Sequence, residues 1–211
     1  MNPTMTEYYK GFYIQVYQDE DAENPREWDN LGTMVCFHKR YSLGDTFPGY
    51  CSEDFSGWDE LEGMLRKDGA CVILPLYMYD HSGITIRTSG FSQIDSAGWD
   101  WGRIGFIFVT AKDIKKEYGY LNKDNIDKAT KVLQAEVEVY NQYVSGDVWG
   151  YTVVKDNEGI DSCWGYFGTE SAVSEAKAVV DFTIEEQRKE RQRRTKGLIK
   201  SHVPLIYRKE G

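Results

Sequence analysis

The sequence has no uninterrupted apolar run of about 18 residues, the length a helix needs to cross a bilayer. Its first residues, MNPTMTEYYK, carry neither the basic region nor the apolar segment of a secretory signal. A soluble chain in a reducing cytoplasm is the expectation. Histidine is scarce, three in all, and Cys36, Cys51, Cys71 and Cys163 form no C-x-x-C pair and stand at no zinc-ligand spacing from a histidine. Those absences argue against a disulfide framework and a motif-defined zinc site, and leave four reduced thiols as the expectation. There is no internal repeat, no low-complexity linker and no reaction-specific motif. GWDWGRIG (98–105) spaces three glycines, but it enters a strand, whereas a phosphate-cradling loop must open a helix.

What is present describes a folded protein. Aromatics make up 14% of the 211 residues, with six Trp and fifteen Tyr, far more than a disordered chain carries. The length suits one substantial domain. The net charge of −9 conceals an asymmetry: residues 185–211 hold nine basic and four acidic residues, net +5, which leaves 16 basic and 30 acidic residues before them, net −14. An acidic body disfavours sequence-independent binding to nucleic acid and favours a basic protein partner or a cation. The run RKERQRRTKGLIK (188–200) lacks interleaved aromatics and reads as the solvated end of a helix.

Apolar patterning predicts a strand over 10–18 and a partner strand over 32–40, joined by a polar loop of about a dozen residues. A helix follows over 52–69, with Ser56 as a cap and Gly69 as a stop. ACVILPLYMYDH (70–81) reads as a buried strand in which Pro75 demands an edge or a bulge. GITIRTS and RIGFIFVT (103–110) continue as strands, and Thr110 and Asp113 stand at capping-box spacing before a short helix. Ile126, Ala129, Leu133, Val137, Tyr140 and Val144 step by threes and fours along a long helix. A hairpin around Asn157 to Gly159 and a second long helix over 171–194 complete the body, and VPLIYRK (203–209) is a short strand or ordered tail. The fold class expected is α+β: a single domain, with a mainly antiparallel or mixed sheet packed against two long helices. Residues 1–184 form its globular part and 185–211 a basic helical end and tail.

Three polar loops adjoin predicted strands: Glu27 to Asn30 together with His38, Asp80 to Gly83, and Asp95 to Arg103. On one side of a single sheet they would gather carboxylates, imidazoles and tryptophans around a concavity. Asp29, Asn30 and His38 are the candidates in the first loop, and Asp80, His81 and Ser82 in the second. Asp95, Trp99, Trp101 and Arg103 belong to the third, the last three suited to stacking on a base and pairing with a phosphate as well as to ordinary packing. Glu136 and Tyr140 share a helical face one turn apart. The competing reading makes these loops turns capped by Asp and Ser. His81 would serve as a general base only if a distant carboxylate oriented it, because its neighbour Asp80 cannot. His38, His81, Asp29 and Asp95 have ligand chemistry but no metal-site spacing, so neither metal nor cofactor is expected. Strand alternation puts Met34, Cys36 and His38 on one face and Thr33, Val35 and Phe37 on the other, so His38 reaches a pocket only if the second set is core.

The segments NPREWDNLGTMVCFH, ILPLYMYDHSGITI, GRIGFIFVT, AEVEVYNQYVSGDVWGY and DSCWGYFG, taken in that order, resemble a group of accessory proteins encoded by bacteriophages and other mobile elements. The likeness spans roughly residues 10–168. It implies a bacterial cytoplasmic setting and a non-enzymatic antagonist of host defence, which binds a defence effector or sequesters a signalling nucleotide. A homo-oligomer is compatible with that role. The alternatives are a nucleotide-directed hydrolase using His81 or His38, and an acidic DNA mimic, which lacks the dense acidic runs it would need.

Overall fold

A computed structural model describes residues 2–202, so VPLIYRK lies outside the described residues. In chain order the strands are β1 (Met5–Tyr9), β2 (Phe12–Gln18), β3 (Thr33–Cys36), β4 (Ala70–Asp80), β5 (Ile84–Arg87), β6 (Trp101–Thr110), β7 (Val148–Lys155) and β8 (Glu158–Phe167). The helices are α1 (Trp58–Lys67), α2 (Ala111–Tyr118), α3 (Lys123–Val144) and α4 (Thr169–His202). The fold is α+β and its sheets are antiparallel, as the patterning predicts. The single sheet expected is in fact two, ordered β1-β2-β7-β8 and β3-β6-β4-β5. They belong to two compact units, one formed by residues 2–19 and 149–202 and the other by Glu20–Val148.

In the first unit, both hairpins turn through two residues of positive φ, Lys10 (48°) and Gly11 (89°) between β1 and β2, and Asp156 (51°) and Asn157 (65°) between β7 and β8. Such turns match the right-handed twist of the strands they join. The predicted strand at 10–18 therefore loses its first two residues to a turn, and β1 went unread because none of its residues is buried, Met5 and Tyr8 being exposed. On β2 the period of two is clear, with Phe12, Ile14 and Val16 buried. Tyr151 and Val153 of β7 join them, and α4 lays Ala172, Ala176 and Val180 across the same cluster. The change of charge sign at residue 185 falls within α4, which runs through it.

The second unit buries its sheet on both faces. Ala129, Leu133, Val137 and Tyr140 of α3, with Ile114 of α2, cover one face; Leu61 and Leu65 of α1 cover the other beside Phe106 and Phe108. A strand covered twice reads as a continuous apolar run, and β6 is buried without a break from Ile104 to Val109. The partner predicted for the strand at 32–40 was β2; β3 instead pairs with β6, Thr33 opposite Phe108 and Cys36 opposite Gly105. Met34 faces α3 and Val35 faces α1, both fully buried, while Thr33 and Cys36 at the strand's ends are half-buried. The strand ends at Cys36, and His38 lies beyond it.

Pro75 sits where β5, which pairs only with Tyr77–Asp80, leaves the outer edge of β4 uncovered, the edge position its missing N–H requires. Ile104 is the extra residue of a bulge between the pairs Leu76–Gly105 and Tyr77–Arg103. Thr110 caps α2 as predicted, its Oγ1 accepting from the N–H of Asp113 at 3.2 Å. Ser56 does not cap α1; Gly57 holds that position, and the Glu60 carboxylate reaches back to accept from the Ser56 N–H (2.9 Å) and hydroxyl (2.7 Å).

Gly105 exists because β3 crosses against it. A Cβ there would lie 1.8 Å from the Val35 carbonyl oxygen, inside backbone that cannot yield, whereas a Cβ on Gly63 in α1 would meet nothing within 4 Å. Gly105→Ala should therefore destabilise the protein by about 2–3 kcal/mol, and Gly63→Ala should stabilise it by up to about 1 kcal/mol through helix propensity. Urea midpoints moving in opposite directions are the expected result.

Candidate functional site

Chemistry in the opening loop begins with a buried charge. Pro25–Glu27 forms a short 3-10 helix, capped by the Asn24 side chain accepting from the Arg26 N–H. This turns the Arg26 side chain inward until only 2% of it is exposed. A buried guanidinium must spend its donors, and it does. Its Nε donates to Asp45 Oδ1 at 2.7 Å, Nη1 to Glu136 Oε2 at 2.9 Å and Nη2 to the Gly32 carbonyl at 2.6 Å. Burial lowers the guanidinium's pKa, and its hydrogen bonds to the Asp45 and Glu136 carboxylates, with their charges, outweigh it, leaving Arg26 above its ordinary value.

The two carboxylates are spent in turn. Glu136 also accepts from the N–H of Leu31 (2.8 Å) and of Gly32 (3.2 Å), and Asp45 from the N–H of Met34 (2.9 Å). Tyr140 accepts from the Gly44 N–H at 2.8 Å, and burial pushes its hydroxyl up to about 12. Asn30 donates its side-chain amide to the carbonyls of Pro25 and Trp28. Glu136, Tyr140 and Asn30, expected to face a ligand, thus fasten two loops to α3 and to one another. Arg26 and Asp45 were missed, since partners 19 and 110 residues from Arg26 leave no local spacing to read.

The third loop is likewise held from within. The Asp95 carboxylate accepts from the N–H groups of Ala97 (3.0 Å), Gly98 (3.1 Å), Trp99 (2.8 Å) and Asp100 (3.0 Å). These donors, Asp100 foremost, hold it below the ordinary aspartate value. Trp101 Nε1 donates to the Asp95 carbonyl at 2.8 Å, and its ring packs edge-on against Tyr77. Arg103 donates to the Tyr77 hydroxyl at 2.9 Å. Of the four candidates here only Trp99, 87% exposed, keeps a free ring face. At the second loop His81 does find a distant carboxylate, Asp100, with Nδ1 and Oδ2 3.1 Å apart, and stacks on Tyr79. The backbone turns through Ser82 at φ 61° and Gly83. Asp80 is paired with Arg40.

The expected common concavity does not form. Asp29 and Asn30 line a cavity of about 450 Å³ with Asp113, Lys116 and Glu136, whereas His38 lines a separate one of about 850 Å³. In the larger, the His38 and Tyr41 rings stack with centroids 5.1 Å apart and planes 12° from parallel. Arg40 lies over Tyr41, Lys39 stands alongside, and Ser42, Thr46 and Ser52 supply hydroxyls. Cys36 lines it too, its thiol pushed up to about 12 by burial, then by Asp45. Among the described residues no cluster of three His, Cys, Asp or Glu side chains could hold a metal ion.

Arg26→Ala would strand two carboxylates and should cost about 3–5 kcal/mol, while Asp29→Ala, exposed and outside the network, should change stability by less than about 0.5 kcal/mol. Denaturant unfolding of both variants checks the contrast. Because the folded pKa of Asp95 is depressed, its contribution is present above the ordinary aspartate value near about pH 4 and is lost as pH falls through the lower folded value. Amide-exchange protection at Gly98, Trp99 and Asp100, measured against the intrinsic rate at each pH, should fall through that acid window in the native protein, and in Asp95→Asn should already be low at neutral pH.

No family model matches the chain, and no curated protein or solved structure matches it, so its chemistry rests on the geometry above.

Proposed function

We propose that this chain is a non-enzymatic binding protein, an accessory factor of a bacteriophage or mobile element that antagonises host defence by sequestering a small nucleotide. The cavity at His38 and Tyr41 carries the reading: two parallel rings, Lys39 and Arg40, the last also paired with Asp80, border a space of about 850 Å³. Rings offer a stacking surface to a planar base, cations pair with phosphate, and the volume lies within the range of small-molecule sites. The state of the carboxylates favours holding over converting. Glu136, Asp45 and Asp95 are consumed by backbone and guanidinium donors, so none stands ready to move a proton.

One observation favours catalysis instead, the His81–Asp100 pair, which meets the requirement for a distant orienting carboxylate. His81 does not line the cavity at His38, and 63% of its side chain is exposed, a poor setting for excluding water from a reaction.

A panel of linear and cyclic nucleotides should be titrated into the protein by calorimetry, then recovered after denaturation and chromatographed. Saturable binding, intact recovery, and a loss of at least about tenfold in affinity for Tyr41→Ala and His38→Ala are expected, with His81→Ala unchanged. Conversion of a nucleotide that His81→Ala abolishes would replace this reading with the hydrolase, and no binding across the panel would remove the nucleotide altogether.

A further inference from the structure

The first unit holds a cleft of opposite electrostatic character to the acidic body of the sequence. It encloses about 590 Å³, and five cations line it: Lys10 from the β1–β2 turn, Lys155 from the end of β7, and Arg188, Arg191 and Lys196 from α4. Phe12 and Ile184 provide apolar lining. No carboxylate lines it, although α4 carries Glu185, Glu186 and Glu190 along the same stretch.

Helical phase accounts for the absence of Glu186 and Glu190. At 3.6 residues per turn, Ile184, Arg188, Arg191 and Thr195 recur on one flank of α4 and line the cleft. Glu186 and Glu190 fall on another, where they pair with Lys189 and Arg194, each at 2.9 Å. The acids of the segment thus neutralise cations directed away from the cleft. Lys10 is held by Asp181 at 2.7 Å, and Lys155 lies 4.7 Å from the Phe12 ring centroid. Arg188, Arg191 and Lys196 have no carboxylate partner among the described residues.

Like charges gathered in one concavity repel one another, a cost that a bound anion removes. Two guanidinium groups one turn apart present forked donors suited to phosphate oxygens. We propose that this cleft is a binding site for a compact polyphosphate anion, either inorganic or the polyphosphate of a nucleoside. Size favours such a ligand over a nucleic-acid strand, which would run beyond the five cations of the cleft. The site stands independently of the His38–Tyr41 cavity, with which it shares no residue.

The full chain should be titrated by calorimetry with inorganic tripolyphosphate, with ATP, and with a single-stranded oligonucleotide. The expected result is saturable binding of tripolyphosphate and ATP that weakens as salt is raised, and a loss of at least about tenfold in the Arg188→Ala/Arg191→Ala variant. Lys189→Ala/Arg194→Ala removes the same charge from the other flank of the same helix and should bind within about twofold of the native chain. Tighter ATP than tripolyphosphate would identify the nucleoside form, and equal affinity the bare polyphosphate. His38→Ala and Tyr41→Ala should leave tripolyphosphate binding intact whether or not they affect a nucleotide elsewhere. Equal losses in the two double variants would overturn the site in favour of diffuse charge, as would absence of saturable binding. Tighter binding of the oligonucleotide would overturn it in favour of a nucleic-acid surface. Circular dichroism of each variant ensures that α4 is intact.

Discussion

One buried guanidinium organises the opening loop of the second unit. Removing Arg26 from water is tolerable only because Asp45, Glu136 and the Gly32 carbonyl together take up its donors. Each partner is committed elsewhere, Glu136 to the N–H groups of Leu31 and Gly32 and Asp45 to that of Met34. The loop's backbone, the entry of β3 and the middle of α3 therefore share one set of hydrogen bonds. Long stretches between strands often signal a binding loop, but here polarity is spent on closure. The charge also constrains chemistry, since a carboxylate already accepting from an arginine and two amides has little to offer a substrate.

A second constraint follows from covering a sheet on both faces. With α3 on one side and α1 on the other, β3 buries both of its central side chains, Met34 and Val35. His38 reaches a cavity because the strand has already ended at Cys36, not because alternation turns it outward. The aromatic wealth of the sequence finds its use in the same place: Phe106 and Phe108 interlock with Trp58 and Tyr50 on the α1 face, and Phe91, Trp101 and Tyr77 on the outer part of β4 and β6.

The sequence made helices and strands legible where their cause is local. The apolar ladder of α3, the Thr110 cap, the edge position of Pro75 and the second hairpin all arise from residues within a few positions of one another. Which strand pairs with which does not. Nothing near residues 32–40 says that β3 lies against β6, a pairing set by the clearance at Gly105 about seventy residues away. The candidate residues divide on the same line. Glu136 and Tyr140 were placed on one helical face, but their partners Arg26 and Gly44 lie far along the chain, and those partners tie that face to two loops. Asp95 has the composition of a site and the geometry of a turn, because four successive amides reach its carboxylate before any ligand could.

Net charge hides the feature with the plainest electrostatic purpose. Counting residues along 185–200 gives a basic helix end softened by glutamates, a pattern usually read as a solvated face. Arranged on a helix, the same residues separate by phase: Lys189 and Arg194 are satisfied by Glu186 and Glu190, and the solvated reading holds for that flank. Arg188 and Arg191 lie on the other, where Lys10 and Lys155 arrive from hairpins far away in sequence. If the glutamates had been placed at cleft positions, the same composition would have neutralised the cleft and left the outer flank cationic. The distribution observed leaves Arg188, Arg191 and Lys196 without a carboxylate partner among the described residues at the concavity and pairs Lys189 and Arg194 outside it, and a one-dimensional charge count cannot distinguish the two arrangements.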